Sequence, residues 1–268
     1  MPHLPLDDFE IYHELHGDRG DAVVLVHGYT GDLGDWRHQV ADLARDHRVL
    51  AMDHRGHGRS GAPRDRASYT IERMADDVLA VADAVGFERF HLVGHSMGGM
   101  VAQELALRIP DRLLSLVLED TMHEFAVARI EAVRKIFDAR LRLAEERGMA
   151  AVAALPSPPP PPHQPAERVV EERARLASMA VDGFAGAWRA LCEWPGTADR
   201  AHAIRTPTLV VYGELDAVIA AGAKWLAEHV PGAVAEVIPE AGHSPQFERP
   251  ALFNAALRRH FARANGRS

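Results

Sequence analysis

A single cysteine, Cys192, in 268 residues excludes an internal disulfide and a cysteine-rich zinc site, and it fits a reducing compartment. Basic charge is in deficit: 38 acidic against 30 basic side chains give a formal charge of −8, so neither a nucleic acid nor an anionic membrane is expected as the principal partner. No apolar run approaches the roughly 18 residues a membrane span requires. The segment Met1-Pro2-His3-Leu4-Pro5-Leu6-Asp7-Asp8 carries neither the basic stretch nor the apolar stretch of a signal peptide, and the expectation is a soluble, cytoplasmic protein. No internal repeat is visible. What is present is ordinary for a globular chain, with 47% apolar and 25% charged residues. A chain of this size buries about three quarters of its unfolded surface, so it needs no staple, and its length allows one large domain or two small ones.

A short, continuously apolar, β-branched run stands at 22–26 (AVVLV), and similar runs recur at 48–52 (RVLAM), 90–93 (FHLV), 114–118 (LSLVL), 208–211 (TLVV) and 234–238 (VAEVI). Such runs suit strands buried on both faces of a parallel sheet. Helix-period segments lie between most of them, at 36–45, 71–85, 97–108, 222–229 and 247–262. This alternation predicts an α/β fold, a parallel sheet with helices on both faces.

From 122 to 202 the alternation stops. Phe125, Ile130, Val133, Phe137 and Leu141 recur at near-helical spacing, and a second helical pattern covers 166–191, with Gly183 and Gly186 as candidate interruptions. Between them stands Pro156-Ser157-Pro158-Pro159-Pro160-Pro161-Pro162, which excludes helix and predicts extended polyproline II. The region reads as a helical insertion between two strands of the core. The prolines read as a rigid spacer or lid loop in preference to a docking motif for a partner domain.

The strongest chemical signal is Gly94-His95-Ser96-Met97-Gly98, placed between a predicted strand and a predicted helix. In that context Gly-x-Ser-x-Gly is a nucleophile elbow, a strained turn that exposes the serine hydroxyl at the carboxyl end of the strand. A serine hydroxyl needs a base to take its proton, and the base needs a third group to fix its tautomer. Asp216, in Gly213-Glu214-Leu215-Asp216, and His243, in Gly242-His243-Ser244, follow the serine in chain order, each beyond the carboxyl end of a strand. Taken singly they would be a helix N-cap and a turn histidine; together with Ser96 they form a candidate triad. Asp120, beside Glu119 at the end of the LSLVL run, is a competing acid. Donors for an oxyanion are expected from the N–H of Met97, at a helix N-terminus, and the N–H of Tyr29 in the loop His27-Gly28-Tyr29-Thr30-Gly31.

The segments His27-Gly28-Tyr29, Asp53-His54-Arg55-Gly56-His57-Gly58-Arg59-Ser60, Gly94-His95-Ser96-Met97-Gly98-Gly99, Gly213-Glu214-Leu215-Asp216 and Ala241-Gly242-His243 resemble the α/β-hydrolase superfamily across nearly the whole core. The stretch from Asp53 to Gln103 is particularly similar to 3-oxoadipate enol-lactonases and their neighbouring esterases and perhydrolases. The resemblance implies an eight-stranded, mostly parallel sheet with a cap inserted after the sixth strand. The core would then comprise residues 1–121 and 203–268 and the cap 122–202. It also implies nucleophile, acid and base roles for Ser96, Asp216 and His243. The His27-Gly28-Tyr29-Thr30-Gly31 loop departs from the His-Gly-x-Gly-Pro-Gly loop of meta-cleavage C–C hydrolases.

Other constellations are weaker. His54 and His57 have metal-like spacing, yet no His-Glu-x-x-His motif or carboxylate cluster accompanies them, and no metal is expected. No phosphate-binding glycine loop follows the first strand, so no cofactor is expected. Trp188, Cys192 and Trp194 read as insertion core in preference to a substrate pocket, and Cys192 has no partner that would make it a nucleophile. The leading expectation is a cofactor-independent serine hydrolase acting on a small carboxylic ester or lactone. The alternatives are C–C hydrolysis of a vinylogous diketone and a low-turnover ligand receptor on the same fold.

Overall fold

The structure is a computed structural model that describes residues 2–7, 9–157 and 159–266. Eight strands form one sheet: β1 (His3–Pro5), β2 (Glu10–His16), β3 (Ala22–Val26), β4 (Arg48–Met52), β5 (Phe90–His95), β6 (Leu113–Glu119), β7 (Thr208–Gly213) and β8 (Val234–Ile238). Their order is β1-β2-β4-β3-β5-β6-β7-β8, with β1 and β2 antiparallel to their neighbours and the rest parallel. Six strands coincide with the six apolar runs. β1 and β2 do not announce themselves: β1 has three residues, and β2 (EIYHELH) buries only Ile11, Tyr12 and His13, without period-two alternation. β8 is outermost, and Val234 and Val237 are 43% and 45% exposed despite their apolar run.

Ten α-helices are α1 (Arg37–Leu43), α2 (Ile71–Ala84), α3 (Met97–Arg108), α4 (Glu131–Arg147), α5 (Met149–Ala153), α6 (Ala166–Ser178), α7 (Val181–Glu193), α8 (Ala217–His229), α9 (Pro245–Glu248) and α10 (Pro250–Ala264), counted among the described residues. Side chains of a strand point alternately to its two faces. Accordingly Val24, Val26, Leu92, Leu116 and Leu118 pack with Val78, Val101 and Leu226 of α2, α3 and α8. Val23, Leu25, Val93 and Val117 pack on the other face with Leu43, Phe253 and Leu257 of α1 and α10. That is why the central strands are buried at nearly every position and mostly apolar, with His91 and Ser115 of neighbouring strands hydrogen-bonded to each other.

Two helix boundaries correct the sequence reading. α8 begins at Ala217, five residues earlier than its apolar periodicity suggests, because the Asp216 carboxylate caps it by accepting the Ile219 N–H at 3.3 Å. The segment 247–262 is two helices, since Pro250 has no N–H to continue α9 and instead opens α10.

Helices α4 to α7 lie in the chain between β6 and β7. Phe137, Ala144, Met149, Val152 and Phe184 make a small core of their own. The predicted pattern from Phe125 is helical only from Glu131, after a 3-10 turn at Ala126–Arg129. The break in 166–191 falls at Met179 and Ala180, which have extended backbones, and not at the glycines. Gly183 and Gly186 sit inside α7 because it lies against the core: a Cβ on Gly183 would stand 2.2 Å from the Gly56 carbonyl oxygen, and one on Gly186 would stand 2.4 Å from the Tyr69 ring. Of the proline run, residues 156, 157 and 159–161 are neither helix nor strand and 162 begins a turn; Pro158 lies outside the described residues. No helix among the described residues is long and apolar enough to cross a membrane.

Candidate active site

Ser96 stands alone between β5 and α3, with φ 54° and ψ −116°. A non-glycine residue there costs about 1–3 kcal/mol and persists only where its surroundings over-determine it. Here they do. The Ser96 N–H donates to the Glu119 carbonyl at 2.9 Å, and the Ser96 carbonyl accepts from Gly99 N–H at 2.9 Å and from the Thr121 hydroxyl at 2.7 Å. The turn is also too tight for side chains beside it. A Cβ on Gly98 would lie 2.2 Å from the Val26 carbonyl oxygen, and one on Gly94 would lie 2.3 Å from the Gly98 carbonyl oxygen.

His243 lies in the loop after β8. Its Nε2 is 3.1 Å from Ser96 Oγ and its Nδ1 is 2.5 Å from Asp216 Oδ2. The loop is fixed from two sides. Glu248 accepts the N–H groups of Gly242 at 2.6 Å and Ser244 at 3.0 Å. His95 Nε2 donates to the His243 carbonyl at 2.7 Å. Burial and the neighbouring His243 ring push the His95 pKa down to about 3, so its imidazole is neutral. Burial pushes the Asp216 carboxyl upward, but the hydrogen bond and charge of His243, the Ile219 N–H and Asp120 outweigh it and hold it below the usual range. Asp216 is therefore an anion aimed at the imidazole.

The two candidate acids are separated by this geometry. Asp216 is the one bonded to His243. Asp120, with φ 38°, stands behind it, accepts the Gly213 N–H at 3.1 and 3.3 Å, and has a pKa raised well above the carboxylate range by burial and by Glu119 and Asp216. Polar atoms of Asp120, Asp216 and His243 fall within 4.8 Å of one another, the one grouping among the described residues compact enough for a metal ion. Both ring nitrogens of its histidine are already engaged by Asp216 and Ser96. His54 and His57 are buried side by side, and their rings pack with His27 in the loop wall.

The loop after β3 runs against the serine: a Cβ on Gly28 would be 3.0 Å from Ser96 Cβ. His27 shapes it, since Nδ1 donates to the Gly28 carbonyl at 2.7 Å and Nε2 accepts the His54 N–H at 3.0 Å. Asp53 ties this loop to the next by accepting the N–H groups of Leu33 at 2.7 Å and Arg59 at 2.8 Å. Among the described residues no acceptor takes the N–H of Tyr29 or of Met97. The Tyr29 side chain turns to the insertion, where its hydroxyl donates to the Phe184 carbonyl at 2.9 Å and its ring stacks on Phe184.

A cavity of about 400 Å³ opens over Ser96 and His243, and its far wall includes Val152, Leu155, Arg168 and Val169 of the insertion. Trp188, Cys192 and Trp194 line a different cavity. Trp188 stacks on Phe137 at 4.0 Å, and buried Trp194 donates to Glu104 at 2.9 Å. Burial pushes the Cys192 thiol up to about 11, which leaves it a poor nucleophile at neutral pH. Glu248, His95 and Thr121, which steady the site, carry no sequence signal of that role. His95 alone was within a motif, at a position the motif leaves open.

An eight-stranded sheet with a strained serine after the fifth strand defines a class. The family model described as the alpha/beta hydrolase fold matches residues 21–250, and the chain belongs to that family. It is 34% identical, over 95% of its length and 97% of the other protein, to "Putative carbamate hydrolase RutD" of Variovorax paradoxus. Among solved structures it is similar to the enol-lactonase from Burkholderia xenovorans LB400, with TM-score 0.83, 27% identity, and 97% and 100% of the two chains covered. It is also similar to a thermophilic esterase from Thermogutta terrifontis, with TM-score 0.82, 29% identity, and 96% and 94% covered. The chain is a hydrolase of this fold.

Proposed function

We propose that the protein is a cofactor-independent serine hydrolase that cleaves a small carboxylic ester or lactone through an acyl-enzyme on Ser96. The observation that carries this reading is the unbroken hydrogen-bonded line from Ser96 Oγ through His243 to Asp216, at 3.1 and 2.5 Å, opening on a cavity. Ser96 Oγ attacks the substrate carbonyl while His243 Nε2 takes its proton and Asp216 holds the Nδ1–H tautomer. The uncommitted N–H groups of Tyr29 and Met97 receive the oxyanion, and one such donor contributes about 2.7–4 kcal/mol. His243 then protonates the leaving alcohol, and water activated by the same imidazole releases the acyl group.

Residues 122–202 act as a cap that shapes the acyl pocket over a core of 1–121 and 203–268, consistent with the insertion side chains in the cavity wall. The names of the enol-lactonase and esterase support an ester or lactone substrate. The carbamate hydrolase name favours a second substrate, a carbamate, whose carbonyl would undergo the same attack.

A fluorophosphonate probe followed by peptide mass spectrometry tests the nucleophile. Labelling of Ser96, lost in Ser96→Ala, is the expected result; labelling elsewhere, or equal labelling of the variant, overturns it. Turnover of p-nitrophenyl acetate surviving in His243→Ala would remove the proposed base. A panel of lactones, esters, carbamates and vinylogous diketones then ranks the substrate classes.

A further inference from the structure

Behind the line from Ser96 to Asp216 lie two carboxyl groups that the mechanism leaves unused, Glu119 and Asp120, both wholly shielded from solvent. Glu119 faces the α9 side, where it accepts the Gln246 N–H at 3.1 Å. Asp120 faces the triad. Its left-handed backbone, φ 38°, turns the chain out of β6, and its N–H donates to the Val211 carbonyl at 2.9 Å. The side chain then lies across the β7–α8 loop, accepting the Gly213 N–H, with a carboxyl oxygen within 4.8 Å of one of Asp216.

Two buried carboxyl groups this close disfavour each other's charge, and one proton shared between them turns repulsion into attraction. The surroundings decide which oxygen keeps it. Asp216 has the His243 ring and the Ile219 N–H to stabilise its charge. Asp120 has only the neutral Gly213 N–H and stands next to Glu119. The groups facing Asp120 are thus Glu119 on its own strand, Asp216 on the β7–α8 loop and His243 beyond it, and two of these three disfavour its anion.

We propose that Asp120 is a neutral carboxylic acid at working pH that donates a hydrogen bond to Asp216 and thereby fixes the carboxylate that orients His243. Asp120 is a positioning residue, acting on the substrate only through Asp216 and His243, and its role in turnover rests on the triad reading above. The Gly213 N–H lies within reach of both Asp120 oxygens, at 3.1 and 3.3 Å, so one can accept it while the other carries the proton given to Asp216. Asparagine has the same shape and the same pattern, one acceptor and one donor, and it tolerates positive φ well.

The test uses the full chain with Asp120→Asn, Asp120→Ala and Asp216→Asn. Steady-state hydrolysis of p-nitrophenyl acetate is expected to show Asp120→Asn within about threefold of the parent in kcat. Asp120→Ala should lose about tenfold with KM little changed, the equivalent of one hydrogen bond to a charged group. Infrared difference spectra of parent minus Asp120→Asn should contain the carbonyl band of a protonated carboxylic acid. A kcat for Asp120→Asn as low as that of Asp216→Asn, full activity in Asp120→Ala, or no protonated-acid band in the difference spectrum each overturns the proposal. The infrared reading does not depend on turnover, so it decides the state of Asp120 even if Ser96→Ala remains active and the triad reading fails.

Discussion

Arg168 on α6 and Asp35 beneath the loop after β3 meet at 2.6 Å, with side chains only 3% and 5% exposed. Arg175, two turns further along α6, reaches the same Asp35 oxygen at 2.6 Å. Burial opposes the Asp35 charge, but Arg175 and Arg168 outweigh it and hold the carboxyl down to about 2. A buried pair broken on one side leaves an uncompensated charge, at a cost of about 3–5 kcal/mol. Asp35→Ala should therefore destabilise the protein by that order and loosen α6, exposing it to proteolysis before the core. The folded value lies below the unfolded one, so the stabilisation is present above about pH 4 and fades as pH falls toward 2. Urea unfolding and limited proteolysis measure both effects; an unchanged midpoint would mean that the pairs hold nothing together.

His243 depends on Glu248 for its place. The carboxylate takes one peptide N–H on each side of the histidine, at 2.6 and 3.0 Å. Displacing a catalytic group by about 1 Å costs on the order of 10²-fold in rate. Glu248→Ala should lower kcat toward that figure and leave KM within a few-fold, because Glu248 does not line the cavity over Ser96. Glu248→Gln should also be impaired, since its amide nitrogen would oppose one of the two N–H groups. A kcat equal to the parent's in both variants would show that the loop is held by His95 alone.

The parallel strands from β3 to β7 were legible because helices cover both faces of the sheet, so nearly every position is buried and most are apolar. β1 and β2 lie at the antiparallel edge and carry no such run. Ser96, Asp216 and His243 could be brought together on paper because each follows a recognisable strand. Glu248 and Arg168 could not: a charged residue in a helix reads as solvated, and the partner that buries it is set by tertiary contact. Gly183 and Gly186 show the same limit. A missing side chain looks like a break until the neighbour that forbids a side chain, Gly56 or Tyr69, is known.

Those two glycines yield a stability prediction. Alanine is the better helix former by about 1 kcal/mol, so in an open helix either substitution would stabilise. At Gly186 the new methyl would meet the Tyr69 ring at 2.4 Å, and at Gly183 it would meet the Gly56 backbone at 2.2 Å. Overpacking of this kind costs about 1–3 kcal/mol, more where backbone must move. Both variants should melt below the parent, with Gly183→Ala the lower. A rise in melting temperature for either would mean that α7 does not press on the loop after β4.

Buried histidines govern stability on the acid side of neutrality. Burial, chiefly, pushes His27, His91 and His95 down to about 3 and His57 and His260 to about 4, and places His54 well below its ordinary value. These six stay neutral in the folded protein at pH 5, whereas the unfolded chain protonates them below about 6.5. Unfolding thus takes up protons, and stability falls as pH falls. Four buried carboxyls act in the opposite sense: Glu119, Asp120 and Asp77 are raised by burial, and Asp53 is raised by burial to about 6 against the pull of the Arg59 and Leu33 N–H groups. Any of them that keeps its proton in the folded state near pH 5 releases it on unfolding, since the unfolded chain has lost it above about pH 4; Asp77, paired with Arg55 at 2.7 Å, has a cationic partner holding its charge. Six against at most four leaves a net uptake of about two protons near pH 5, each changing stability by about 1.4 kcal/mol per pH unit. The urea midpoint should accordingly fall steadily between pH 6.5 and 5, and Asp120→Asn, which removes one opposing proton, should make the fall steeper. A midpoint that is flat or rising over this interval would show that the carboxyls outweigh the histidines.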